Sequence, residues 1–305
     1  MKSSPDQTAD FRMAQFAGLA GLAVLRDGAF AVTGKLSTRL DGLCVPLRSA
    51  KYLDEVNSNP RVTAVITTRE IADGLDQRLA VAVADRPDEA HAEVHAFCAE
   101  AREAELKAQP NVIDGSAHID PAARIAGYGV EIGPRCHIGP GATILPGVRL
   151  EDDCVLHPGV TLGVPGFNTG IIGGRQRIIP QLGGVRLKPF VELLANVCVA
   201  RALFGGETTL GEETVVDNLV YIAHDVQIGR RVQICALVNI LGRVEIGDYA
   251  YIGPSSVIVN GARIGERAKV SIGAVVTRDV APGATVSGNF AIPHDRFLTH
   301  LRSVR

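Results

Sequence analysis

From Leu210 onward an aliphatic residue returns at every sixth position, through Val216, Ile222, Ile228, Ile234, Ile240, Ile246, Ile252, Ile258, Ile264 and Val270 to Val276. A second stripe, four residues after each member, runs from Thr214 and Val220 through Val238 and Val244 to Ala274 and Val280, and holds only small or apolar residues. These two phases predict side chains that share an interior, with the remaining positions facing out. An earlier run (Ile132, Ile138, Ile144, Leu150, Leu156, Leu162) and a shorter one (Val185, Val191, Val197, Leu203) keep the same period. Sustained hexads mark a parallel β-helix, in which short strands stack rung on rung and each coil touches only its neighbours. Gly211, Gly229, Gly247, Gly265 and Gly283 recur 18 residues apart, so three hexads make one turn and the cross-section is a triangle. One corner per coil is therefore expected to use glycine's tolerance of positive φ. Residues 18 apart should stack at about 4.8 Å, the strand spacing of a sheet.

The period breaks near Pro110, which divides the chain into an α/β domain over 1–109, a β-helix over 110–286 and a short C-terminal tail over 287–305. In the first part, Val62 to Thr68 and Leu79 to Ala84 read as strands, and the Ala/Glu-rich stretch after Arg86 reads as an amphipathic helix. His91 and His95 lie on that helix at a spacing that can bind zinc. No third ligand accompanies them, so the pair reads as a solvated face and no metal is expected. The segment Phe16 to Leu25 (FAGLAGLAVL) follows Asp6 and Asp10 and is too short to span a bilayer. It reads as a buried helix of a cytoplasmic protein.

Composition narrows the partners. The 305 residues include 33 glycines, no tryptophan and only 5% aromatics, so the core must be aliphatic layers. A formal net charge of -2 offers no footprint for nucleic acid or for an anionic membrane surface. The six cysteines are scattered without a C-x-x-C pair and read as reduced packing thiols.

Within the regular run, YIAHDVQIG (Tyr221 to Gly229) carries the candidate chemistry. His224 is two residues past Ile222, out of phase with both inward stripes, so it lies on the outside of the prism. Gly242 is 18 residues further on and should sit beside it on the next rung. An imidazole next to a backbone N–H can supply a base and an oxyanion donor for acyl transfer. Asp225 can support the imidazole only if a corner bends the chain there, because strand neighbours point to opposite faces.

The order of SAKYLDEV, VTAVITT, HPGVTLGVPGF, IPQLGGVRL and DNLVYIAHDVQIG resembles the UDP-3-O-acylglucosamine N-acyltransferases of lipid A biosynthesis, over most of the chain. The resemblance implies a left-handed winding and a homotrimer whose sites form between neighbouring prisms. It makes His224 the general base and Gly242 the oxyanion donor, with Asp217 and Asn218 preceding the block as possible support. No bound cofactor is implied. The acyl donor would be an acyl carrier protein thioester and the acceptor the amine of a UDP-glucosamine derivative.

Departures from the family pattern bear on substrate identity. Tyr52 fits one of the family's uracil-stacking aromatics, whereas Pro46 and Ser49 stand where a phenylalanine and an asparagine are expected. Gly261 replaces a second histidine two coils above the base, and the C-terminal helical extension is nearly absent. A short-chain acyl-CoA-dependent N-acetyl- or acyltransferase on another nucleotide amino sugar is the alternative reading. O-acyl transfer, a metal-dependent hydratase and a non-catalytic scaffold fit the pattern less well. The distance from Leu162 to Val185 is not a multiple of six, so a glycine-rich loop over 163–184 must leave the prism and is expected to be mobile. Gly166, Phe167 and the preceding His157 are its candidate contacts to the acceptor and acyl pocket.

Overall fold

The computed structural model describes residues 11–288 and 293–303, so the start of the first domain and parts of the C-terminal tail fall outside the described residues. Short parallel strands build three sheets that form the faces of a triangular prism. The first face runs from Val112–Ile113 to Arg263–Ile264, the second from His118–Ile119 to Thr285–Val286, and the third from Arg124–Ile125 to Val275–Val276. This is the arrangement typical of the left-handed β-helix. Below, the first edge joins the first and second faces, the second edge joins the second and third, and the third edge returns to the first.

Over the regular region Tyr221 pairs with Asn239 and Asn239 with Val257, eighteen residues per coil. Both predicted stripes fill the interior: from Leu210 to Val276 no member of the first is more than 6% exposed, and none of the second exceeds 5%. The two polar members are satisfied locally, Thr214 Oγ1 by the Gly229 carbonyl (2.9 Å) and Ser256 Oγ by that of Gly253 (2.8 Å). Each coil thus adds a few aliphatic side chains, at about 25 cal/mol per Å² of apolar surface, to one core that runs the length of the prism from Val130 to Val280.

The glycines spaced by 18 serve a different purpose from the one expected. Gly211, Gly229, Gly247 and Gly265 do not adopt positive φ; that conformation falls two residues later, on Glu213, Arg231, Tyr249 and Arg267. A Cβ on Gly211 would come within 2.3 Å of the Gly229 backbone, and one on Gly229 within 2.7 Å of the Asp248 nitrogen. Glycine is needed there because successive corners stack main chain on main chain. Gly283 alone of the series has positive φ (69°).

The first coil is one residue longer than the repeat, and two later coils carry larger insertions. Thr161 pairs with Cys198 and Cys198 with Tyr221, so chain leaves the prism twice, once over 163–184 and again around 201–206. Leu203 therefore does not continue the period-six stripe as the spacing suggested. It joins Phe204 in an apolar cluster with Val45, Leu47, Leu79 and Val81 of the first domain. The first excursion is not a free loop. Thr169–Ile172 and Arg175–Ile178 pair as an antiparallel hairpin around Gly173 and Gly174, both at positive φ, and Glu93 of the long helix accepts from the Gly173 N–H.

The first domain holds a five-stranded sheet in the order Ala23–Arg26, Ala80–Val83, Val62–Thr67, Leu43–Leu47, Val32–Thr33, parallel except for its first member. The helix Pro87–Lys107 packs across it. Two expectations fail here. Phe16 to Leu25 is not a helix: short 3₁₀ turns at Met13–Phe16 and Leu19–Gly21 lead into the edge strand, because Gly18 and Gly21 break the backbone with positive φ. Only Phe16 and Leu22 of that segment are buried. His91 and His95 are not solvated; both are buried and hydrogen-bonded, His91 Nε2 to the Cys44 carbonyl (3.1 Å) and His95 Nε2 to that of Pro180 (2.7 Å). Burial pushes His91 down to about 3, helped by the neighbouring His95, and His95 down to about 4. Cys44, Cys98, Cys136 and Cys154 are buried thiols, and Cys198 and Cys235 are partly exposed.

Candidate active site

His224 and Asp225 occupy the third edge, just after the strand Tyr221–Ile222. Asp225 takes φ 61°, so the corner bends here and sequence neighbours that would diverge on a strand instead emerge together. Aspartate is among the few non-glycine residues that tolerate this conformation readily. The result is a 2.7 Å contact between His224 Nδ1 and Asp225 Oδ2. Because an ionised carboxylate only accepts, Nδ1 carries the proton of the neutral ring and Nε2 presents a lone pair. Asp225 is itself fixed: its carboxylate accepts from the Leu203 N–H (3.2 and 3.3 Å), and its own N–H donates to the buried Thr208 hydroxyl (3.0 Å).

The next rung places Gly242 against the ring. A Cβ there would lie 2.7 Å from both His224 Nε2 and Cε1, so only glycine admits the imidazole this close. Among the described residues the Gly242 N–H has no hydrogen-bond acceptor. The matching amide on the second edge, that of Ala236, is capped by Asp217 Oδ2 at 3.1 Å. The residue matching Asp217 on the third edge is Ala223, which has no acceptor to offer. One coil higher stands Asn260, whose Oδ1 would be 2.8 Å from that same Gly242 Cβ. The position two coils above the base is thus Asn260, in line with His224 and Gly242, rather than Gly261.

Both excursions wall the base. Gly166 lies across the ring, where a Cβ would sit 3.2 Å from His224 Cδ2. The buried Gln181 amide holds that peptide from both sides, accepting from the Gly166 N–H (2.9 Å) and donating to its carbonyl (2.8 Å). Pro180, next to Gln181, is tied to His95, and His95 Nδ1 meets the Thr33 hydroxyl at 2.5 Å. His224 points out of the prism as the period required, yet its side chain is only 12% exposed because these segments cover it. It opens into a cleft of 1190 Å³ lined by Phe167, Leu203, Phe204, Tyr221, Asn260 and the first domain's Lys35 and Ser37 to Leu40, among others. Phe167 stands at 83% exposure in this cleft.

Other candidates fall elsewhere. His157 turns at the second edge and pairs with Glu192 (2.7 Å). Asp217 and Asn218 share that edge and cap turns: Asp217 accepts from Asn218, and Asn218 Oδ1 from the Ala195 N–H (3.0 Å). Within one chain none of the three touches His224. Tyr52 and Ser49 lie at the start of the helix Leu53–Ser58, where Ser49 Oγ accepts from the Lys51 N–H, and neither lines the His224 cleft. Gln181, Thr208, Leu203 and Asn260 escaped the sequence reading. Only Asn260 carried a signal, its 36-residue offset from His224.

No His, Cys, Asp or Glu cluster suited to a metal ion occurs among the described residues. No helix among them is long and apolar enough to cross a membrane.

Residues 129–163 match the family described as bacterial transferase hexapeptide (six repeats), and residues 243–278 the hexapeptide repeat of succinyl-transferase. The chain is 37% identical over 155 residues to a UDP-3-O-acylglucosamine N-acyltransferase of Caulobacter sp. (strain K31), covering 50% of this chain and 45% of that one. It is 34% identical over 155 residues to the protein of the same name from Methylorubrum populi, covering 51% and 44%. The chain spans about half the length of the curated relatives it matches. Among solved structures, the UDP-N-acetylglucosamine acyltransferase of Campylobacter jejuni superposes with a TM-score of 0.50 at 20% identity, covering 59% of this chain and 70% of that one, a likeness of fold.

Proposed function

We propose, on the premise that the chain is a hexapeptide-repeat acyltransferase, that it moves an acyl group from a thioester to the amine of a nucleotide-linked amino sugar. The observation that carries this reading is an imidazole held by a carboxylate on one nitrogen, with the other nitrogen beside a peptide N–H that has no partner among the described residues. Nε2 of neutral His224 takes a proton from the acceptor amine as its nitrogen attacks the thioester carbonyl. The oxyanion of the tetrahedral intermediate accepts from Gly242 N–H. On collapse the C–S bond breaks, and the imidazolium returns its proton to the leaving thiolate. Asp225 keeps the ring in the tautomer this sequence requires. A general base is worth about 10²–10⁴-fold and an oxyanion donor about 10²–10³-fold.

The names of the curated relatives support UDP-3-O-acylglucosamine as the acceptor class, to which we add acyl carrier protein or coenzyme A as the donor carrier and a role in lipid A assembly. A homotrimer, with neighbouring prisms completing each cleft, accompanies that reading.

The test is His224→Ala assayed with acyl carrier protein and coenzyme A thioesters against several UDP- and dTDP-linked amino sugars. Turnover should fall by about two to four decades while the melting temperature and oligomer mass stay unchanged. Turnover within threefold of the parent would sink the mechanism. A parent enzyme that uses only short-chain coenzyme A thioesters would redirect the donor assignment and leave the chemistry in place.

A further inference from the structure

The His224 cleft contains three carboxylates and four fixed cations, and their pairing is uneven. Glu245 is engaged by Arg39 (2.6 Å) and Arg263 (3.8 Å), Asp225 by His224, and Glu207 by Arg186 (3.8 Å). Arg243 and Lys35 meet no carboxylate among the described residues. Arg243 directly follows Gly242. Its backbone N–H donates to the His224 carbonyl (2.9 Å), and φ 61° turns its side chain outward at the corner. From there Nη1 reaches across the cleft to the Ser37 hydroxyl (3.2 Å), linking the prism to the first domain. Lys35 lies two residues before Ser37, in a turn whose Thr38 hydroxyl accepts from the Lys35 N–H (3.0 Å). The guanidinium has further donors open, in the planar fork that suits phosphate oxygens.

We propose that Arg243, with Lys35 and Ser37 facing it, holds a phosphate group of the substrate, namely the diphosphate of the nucleotide-linked amino sugar. The assignment rests on the acyl-transfer reading above and gives it a binding residue. In a 2-amino sugar linked through C1 the reacting amine and the glycosyl phosphate sit on adjacent ring carbons, so the diphosphate must lie within a few bonds of the nitrogen that the base deprotonates. A cation on the residue next to the oxyanion amide fulfils that geometry. The phosphate of a phosphopantetheine arm is the other source of the same chemistry. It is separated from its sulfur by a long chain, and so would lie far from Gly242.

The experiment is calorimetric titration of the full-length protein and of Arg243→Gln, Arg243→Lys and Lys35→Gln with UDP and, separately, coenzyme A, at two salt concentrations. Arg243→Gln should weaken UDP binding tenfold or more, with a shallower salt dependence, while Arg243→Lys recovers part of the loss and Lys35→Gln gives a smaller one. In turnover, KM for the amino sugar should rise and KM for the thioester should not. Weakened coenzyme A binding with unchanged UDP binding would overturn the assignment to the acceptor. Equal affinity of parent and Arg243→Gln for both ligands, or no binding of either by the parent, would overturn the clamp itself. Titration needs no turnover, so the clamp and the His224 mechanism can fail separately.

Discussion

The second and third edges of the prism are the same turn used in two ways. On the second, Asp217, Asn218 and Leu219 occupy the positions that Ala223, His224 and Asp225 occupy on the third, and Leu219 and Asp225 share nearly the same positive φ (60° and 61°). Where the acid precedes the turn, as Asp217 does, it is spent on the turn itself and caps the Ala236 amide on the next rung. Where the acid falls in the turn, as Asp225 does, it reaches the neighbouring side chain, and alanine in the first position leaves the Gly242 amide uncapped. The two edges thus differ by one carboxylate moved two positions, which is what sets the proposed base apart. An uncapped corner amide is common in this repeat, those of His224 and Asn260 on the same edge included, and what sets Gly242 apart is the imidazole stacked against it.

The largest effect should come from Asp225→Asn. Asparagine tolerates the same backbone conformation, but its amide can donate to Nδ1 and place the ring proton on Nε2, where the base must accept. Turnover should fall by roughly two to four decades at unchanged melting temperature, as loss of the orienting acid does in a catalytic triad. A change below threefold would leave Asp225 with a structural role only. Next in size, Ala223→Asp rebuilds the second-edge cap on the third edge. If the new carboxylate takes the Gly242 N–H, kcat should drop by about 10²-fold. The thermal midpoint reports whether the repeat still folds, and an active, stable variant would remove Gly242 from the mechanism.

Asp217→Ala inverts the comparison. Stripped of its caps, the second edge should lose about 1 kcal/mol of stability, measured by denaturant titration, with kcat of an isolated chain's own cleft unaffected. A large loss of turnover would instead place this edge in the cleft of a neighbouring subunit. Gln181→Leu releases the Gly166 peptide and should lower kcat about tenfold, because the wall beside the imidazole loses both its ties; an unchanged kcat would make that wall passive.

A pH dependence of stability, with no expected change in kcat, concerns the arm that carries Gln181. Unfolded, His91 and His95 titrate near 6.5; folded, near 3 and 4. Between these values the unfolded chain binds protons that the native fold refuses, so stability is complete above about 6.5 and declines as pH falls toward 4, by an order of a few kcal/mol for the pair. Melting curves from pH 7.5 to 4.5 should show that slope, and His95→Gln should flatten it.

How much of this was legible beforehand varies with the distance over which each feature is decided. The stripes from Leu210 to Val280 were readable because every coil repeats the same demand on the same two phases. The pairing of His224 with Gly242 followed from the winding alone. The role of the spaced glycines was misread, since their pattern reports a close approach of backbones that only stacked corners reveal. Leu203 kept the period by coincidence while serving another core. His95 looked solvated on an alanine-rich helix, and nothing local announces that Pro180 and Thr33 will enclose it.

The amino-acid sequence by itself determined the prism, its eighteen-residue coil, the outward imidazole and the glycine stacked upon it, because a repeat fixes the geometry of each unit from its neighbours. Only the tertiary structure decided what encloses that imidazole: the Asp225 corner, the Leu203 and Thr208 contacts, the Gln181 clasp on Gly166 and the Arg243 reach to Ser37. Those contacts join segments far apart in the chain that share no period. Their formation depends on where two excursions happen to meet the first domain, which no local pattern encodes.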